Sequence, residues 1–252
     1  MEVHHHSHGE RGKRFKDYFL EFFMLFLAVT LGFFAENIRE HFTEQKKEKG
    51  YIQSLVEDLQ EDTAAISEYS VANLDMTYGQ DTLIDLLGHF SDTGNASARC
   101  YHFYYFYTTR FAEVVFNDRT MSQLLNSGNM RLIEKQSVSD SIMEYNSIIK
   151  YVKAQADAYR QYFIKTLDLS MDIFNFSYAR NTMDSAYQLH PYHSSEKPNF
   201  KLQTTDPAVL KRYVNMLTLS KSILQGYILN LRFASKKATS LIMLLKKAYH
   251  LK

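Results

Sequence analysis

FFMLFLAVTLGFFA, residues 22–35, is a run of fourteen residues without a charge, and its reading decides the architecture. As a helix at about 1.5 Å per residue it covers roughly 21 Å, short of the ~30 Å hydrocarbon core of a bilayer. Tyr18, Phe19 and Leu20 before it and Ile38 after it lengthen the apolar stretch, at the cost of admitting Glu21 and Glu36. Both acids lie within about a turn of an end, where water or headgroups reach them and the penalty is small. The aromatic residues at the ends suit the interface. Two alternatives compete. A cleaved signal peptide fits the basic lead of Arg11, Lys13, Arg14 and Lys16, but a cut after Ala35 would put bulky Phe33 where a small residue is wanted. A buried helix of a soluble domain is also compatible with fourteen residues. An uncleaved transmembrane helix over 15–38 fits best. Phe22, Phe23, Leu25, Phe26, Leu27, Val29, Leu31, Phe33 and Phe34 would face lipid.

The basic residues before the span outweigh Arg39 and the more distant Lys46, Lys47 and Lys49, which favours a cytoplasmic N-terminus and an extracytoplasmic body in the inner membrane. The expected partner is therefore the lipid bilayer, together with either a second copy or another membrane protein. Charge is divided along the chain. Residues 36–206 hold sixteen Lys/Arg against twenty-four Asp/Glu, whereas 207–252 hold nine Lys/Arg and no acid. The single cysteine, Cys100, excludes an internal disulfide and reads as a small buried apolar residue.

The body reads as all-α. Three prolines and nine glycines in 252 residues leave few breakers. Glu36, Glu40, Glu44 and Glu48 recur every four residues on one face, a stalk whose acids repel mildly and read as solvated or as a contact face. Ile52, Leu55, Val56, Leu59, Ile66 and Tyr69 form an apolar stripe at helical spacing, with Gly50 and Gly79 as candidate breaks and SDTGN (91–95) as a turn. Six of the seven residues 101–107 are Phe or Tyr. A strand is compatible with their propensity, but Phe103, Tyr107, Phe111 and Val114 follow helical spacing, which favours a helix with an aromatic core stripe over a ligand pocket. Only Arg99 and Arg110 flank the cluster, so no nucleic-acid partner is expected. Asn117 or Asp118 can cap a short helix that ends at Gly128. Ser137 or Ser139 then opens a long helix whose seam is Ile142, Tyr145, Ile149, Val152, Ala156, Tyr159 and Phe163. The three prolines lie at 191, 198 and 207, and residues 175–206 read as one irregular connection; its HPYH carries His190 and His193 without an evident third metal ligand.

The last helix begins at Thr205 or Asp206 with Pro207 at its first position. Leu210, Leu217, Leu224, Leu231, Ala238 and Leu245 recur every seven residues, a heptad seam that either packs on its own chain or joins a partner helix. Lys236, Lys237, Lys246 and Lys247 cluster at its C-terminal end, where they suit the helix dipole and are expected to meet the acidic stalk face or lipid headgroups.

Two stretches carry a resemblance. FLEFFMLFLAVTLGFFAENIREH (19–41) followed by YIQSLVEDLQEDT (51–63), and MSQLLNSGNMRLIEKQSVSDSIMEYN (121–146), resemble a bacterial family of uncharacterised single-span membrane proteins. The resemblance implies a membrane-anchored helical domain and transfers no functional residues. The expected organisation is a His-rich basic tail (1–14), a transmembrane helix (15–38), a stalk and antiparallel long-helix bundle with coiled-coil character (39–174), the connection (175–206) and the basic heptad helix (207–252).

No GxSxG, HExxH, P-loop, dinucleotide glycine pattern or EF-hand loop occurs, so nothing supports an enzyme and no cofactor is implied. The residues favour a membrane-anchored scaffold or adaptor. A ligand-sensing bundle is the alternative, and with about fourteen residues before the span it would need a membrane partner to carry its output. In MEVHHHSH, His4, His5, His6 and His8 can hold a divalent metal loosely, but a short polar tail lacks the fixed geometry of an evolved site and reads better as a membrane-adjacent flank.

Overall fold

The structure is a computed structural model that describes residues 15–179, 181–183, 189–191 and 200–251. It is all-helical apart from one small ribbon: α1 (Phe15–Gly88), α2 (Ala96–Tyr107), α3 (Arg119–Asn126), α4 (Gln136–Ser170) and α5 (Pro207–Tyr249). The chain divides into two units, Met1–Gly50 and Tyr51–Lys252.

In the first unit the apolar run lies on α1, and the helix is long and apolar enough to cross a membrane, with none of the apolar window buried. That exposure goes against the reading as a buried helix of a soluble domain, because a core helix hides such a stripe. Rings stack along the helix, Phe19 on Phe23 at 6.3 Å and Phe22 on Phe26 at 6.4 Å. Just beyond, Arg39 Nε donates to Glu36 Oε2 at 2.8 Å.

Gly50 and Gly79 do not break α1, which runs 74 residues through both. A lone glycine costs a helix interior only about 1 kcal/mol relative to alanine, and a long packed stripe outweighs it. Gly79 also has a packing reason. A Cβ there would lie 1.9 Å from Cγ of Tyr107, so the ring of α2 occupies the place of a side chain.

In the second unit α4 and α5 pack along their length. Lys135, just before α4, reaches the carbonyl of Ala248 near the end of α5, and Glu144 meets Lys237, so the two helices run antiparallel. The heptad seam is consumed within the chain: Leu210, Leu217, Leu224, Leu231, Ala238 and Leu245 are all buried. The α4 seam is buried as well, from Ile142 to Tyr159. Two apolar clusters result. One holds Ile52 to Met76 of α1 with Leu224 to Leu245 of α5, and the other holds Leu83, Leu87, Tyr101, Tyr104, Phe174, Leu210 and Leu217. Buried polar residues fall between them along α1 and α5: Thr77, Gln80 and Ser220.

The remaining boundaries follow local chemistry. Residues 96–107 are helical, but the helix ends at Tyr107, so Phe111 and Val114, which the spacing had included, lie on the irregular segment that follows; Gly94 before the helix takes φ +59. Gly128, at φ 66, closes α3 in the left-handed conformation. Asp206 caps α5 by accepting from the Ala208 N–H at 2.8 Å, with Pro207 at the first position. α4 starts at Gln136, slightly before Ser137, with Lys135 as its N-cap and no side-chain cap bond. The connection 175–206 contains a short 3-10 turn (Phe176–Ala179) and an antiparallel ribbon, β1 (Asn181–Met183) with β2 (Leu189–Pro191), where Thr182 pairs with His190.

Candidate functional site

The chemistry that stands out lies on the core-facing stripe of α1. Leu55, Asp58, Leu59, Asp62 and Ile66 share one face at steps of three and four, and the two aspartates are as buried as the leucines around them: Asp62 is 2% exposed and Asp58 3%. They are held there because the start of α3 needs acceptors. Asp118 is the N-cap of α3 but makes no side-chain cap bond. Asp58 Oδ2 instead accepts the Thr120 N–H at 3.1 Å, and Asp62 Oδ1 accepts the Asn117 N–H at 2.8 Å. Backbone donors that have no partner within α3 or its entry are thus satisfied by another helix. This corrects the expectation that Asn117 or Asp118 does the capping.

The two carboxylates differ in charge balance. Asp58 forms an ion pair with Arg119, whose Nη2 donates to Oδ1 at 2.7 Å. Asp62 accepts instead from the neutral Tyr145 hydroxyl of α4 at 3.3 Å. Among the described residues no cation pairs with it. Burial therefore pushes its carboxyl up to about 6, with Asp58 and Glu61 adding repulsion, against the lowering effect of the Asn117 and Tyr145 hydrogen bonds. Burial, with the Asp62 charge beside it, raises Tyr145 in turn.

A cavity of about 260 Å³ opens at this point. Asp62 and Tyr145 line it, Phe116, Met121, Leu125 and Ile149 supply apolar walls, and Asn117, Asp118, Ser122, Asn126, Asn146, Lys150 and Lys153 complete it. A second, shallower groove of about 310 Å³ lies between α4 and α5, lined by Glu144, Ser147, Ile148, Tyr151, Val152, Asn230 and Phe233. Tyr151 is 56% exposed and Phe233 51%.

The aromatic segment of α2 forms packed core. Tyr104 stacks on Phe174 with centroids 4.0 Å apart, and Tyr101 meets Phe174, Tyr178 and Phe200. The Tyr101 hydroxyl donates to the Lys201 carbonyl at 3.0 Å and accepts the Asn175 N–H at 2.7 Å, which ties α2 to both ends of the connection. Cys100 is fully buried, and burial lifts its thiol to about 11. A thiol held that far above neutral pH carries little thiolate.

The residues singled out from sequence fall as follows. Phe22, Phe23, Leu25, Phe26, Val29, Leu31, Phe33 and Phe34 are exposed on α1, and Leu27 is half-buried. Glu36 and Glu40 are exposed, Glu44 half-buried and Glu48 buried. Within the second unit Lys237 pairs with Glu144 and lies 5.7 Å from the Phe233 ring centroid, while Lys236 and Lys247 are exposed and Lys246 half-buried. His4, His5, His6, His8 and His193 lie outside the described residues, as does the His190 side chain. Among the described residues no three His, Cys, Asp or Glu side chains converge as a metal site. Sequence reading missed Asp58 and Asp62. The available signal was their place at core positions of an apolar stripe.

An apolar helical segment in one unit and a helical bundle with a buried carboxylate in the other define the class. Comparison of the chain with protein families, curated proteins and solved structures finds no match.

Proposed function

We propose that this protein is a membrane-anchored helical scaffold or adaptor that acts through protein–protein association and not through catalysis. The observation that carries the reading is the exposed apolar groove between α4 and α5, on a bundle whose heptad seam is already buried. Aromatic residues such as Tyr151 and Phe233, half in solvent beside Ile148 and Val152, are what a partner surface buries, since aromatics dominate the energetics of interface centres. In this reading α1 crosses the inner membrane once, with the N-terminus cytoplasmic and the bundle extracytoplasmic. Membership of the bacterial family that residues 19–41, 51–63 and 121–146 resemble is part of it and rests on those motifs.

Crosslinking in intact membranes, followed by pull-down of the full chain from detergent, tests it. The expected result is a discrete crosslinked species, homomeric or with another membrane protein, that is lost in Phe233→Glu. A monomer with no partner overturns it. Alkaline carbonate extraction and protease protection test the anchor and its orientation: the chain stays with the membrane, and the bundle is cut from the extracytoplasmic side only.

A second reading, an extracytoplasmic ligand-sensing bundle that signals through a membrane partner, is favoured by the cavity beside α3. It is tested by whether a ligand of that cavity alters the crosslinking pattern.

A further inference from the structure

The cavity beside α3 has an unusual base. Asp62 is a carboxylate in the core with two hydrogen bonds and, among the described residues, no cation. Burying an uncompensated charge is costly, and a cation brought to it recovers Coulomb energy at low local dielectric. The surrounding charges do not supply that compensation. On α1, Asp58 and Glu61 repel it; at α3, Arg119 is engaged by Asp58 and Asp118 is acidic; on α4, Lys150 and Lys153 are exposed at the rim. One side of the wall is apolar: Phe116, Met121 and Ile149 are buried and Leu125 half-buried, while Asn117, Ser122, Asn126 and Asn146 make the polar remainder. A divalent metal ion would need several converging ligands, and among the described residues no three His, Cys, Asp or Glu side chains converge here.

We propose that this cavity binds a small amphiphilic monoamine, its ammonium paired with Asp62 and its apolar body lying on Phe116, Met121, Leu125 and Ile149. The ammonium gains a charge-assisted hydrogen bond in a desolvated place, and the apolar body gains burial in proportion to its area. Lys150 and Lys153 at the rim select against polyamines, whose further charges they repel. The inference rests on the sensing reading for its purpose but not for its chemistry.

The test is isothermal titration of the full chain in detergent micelles at pH 7.5 with phenethylamine, using 2-phenylethanol as the uncharged isostere and Ca²⁺ and spermidine as further probes. Saturable binding of phenethylamine is expected, with none of the alcohol. Asp62→Asn keeps the shape and both hydrogen-bond positions, and should weaken binding roughly 10- to 100-fold, the range for loss of a charge-assisted bond. Leu125→Trp, which fills the cavity from a half-buried wall, should abolish binding with Asp62 intact. No saturable binding of the amine, equal binding of the alcohol, undiminished binding by Asp62→Asn, or binding of Ca²⁺ or spermidine in preference to the monoamine each overturns the proposal. Binding that leaves the crosslinking pattern unchanged upholds the site and overturns only the sensing reading.

Discussion

Asp62→Asn should make the protein more stable at neutral pH, against the usual direction for changing a buried hydrogen-bonded group. The carboxyl is raised from 3.8 to about 6, so the folded state holds a proton there more tightly than the unfolded chain does. At about 1.4 kcal/mol per unit of pKa, the ionised carboxylate costs the fold about 3 kcal/mol above pH 6. The sign follows from linkage. Between about pH 4 and pH 6 the folded state carries more protons than the unfolded state, so stability falls as pH rises through that window and is level above it. Asparagine removes the charge and keeps the geometry. Its oxygen accepts the Asn117 N–H, and its amide donates to the Tyr145 oxygen. Allowing about 1 kcal/mol for hydrogen bonds that are weaker to a neutral acceptor, a gain of about 2 kcal/mol remains, or roughly 4–8 °C in Tm for a folded unit of this size. Urea titrations of the full chain followed by circular dichroism, at pH 7.5 and pH 4.5, measure it. The variant should exceed the parent at pH 7.5, and the difference should shrink toward zero at pH 4.5. A variant less stable than the parent at pH 7.5 refutes the reasoning, because the Asp62 charge would then be compensated in the fold.

Three further outcomes follow from packing. Gly79→Ala should destabilise by about 1–2 kcal/mol: relieving the 1.9 Å overlap with Tyr107 Cγ costs about 1–3 kcal/mol, and alanine's helix propensity returns up to about 1. A double-mutant cycle with Tyr107→Ala, which removes the Cγ that the new Cβ would meet, should show coupling that relieves most of that loss. Leu231→Ala, at a fully buried seam position, should cost about 2–5 kcal/mol at every protein concentration, since the seam packs within one chain; a loss that vanishes on dilution would point to an intermolecular seam. Asp206→Ala should cost about 0.5–2 kcal/mol through the lost cap on Ala208, read as a drop in the urea midpoint without a change in slope.

The helices were legible because their signals are repetitive. Seven-residue steps from Leu210 to Leu245 and alternating threes and fours from Ile142 to Phe163 each supply many concordant positions, and a packed helix needs that stripe whatever its partner. Asp206 with Pro207, and Gly128, marked ends for equally local reasons. The breaks assigned to Gly50 and Gly79 failed because they were read from single residues. A glycine's cost is local, whereas what decides at Gly79 is a ring from α2, twenty-eight positions away in sequence.

The site was illegible for the opposite reason. The run VEDLQED over 56–62 offers four acids, and spacing places Asp58 and Asp62 on the core side of the stripe and Glu57 and Glu61 outside it, but it does not show what lets a core hold two carboxylates. That is supplied by α3, a short helix whose entry lacks a side-chain cap of its own and takes acceptors from α1. Once α3 is docked, its donors fix both carboxylates inside the bundle. Arg119, reaching from α3, neutralises Asp58 but not Asp62. A fold selected for stability alone would gain by replacing Asp62 with asparagine, which satisfies the same donors without the charge. The retained charge, in the wall of a cavity with one apolar side, is therefore the feature of this bundle that packing does not account for, and it is where a role beyond the proposed anchoring and association should be sought.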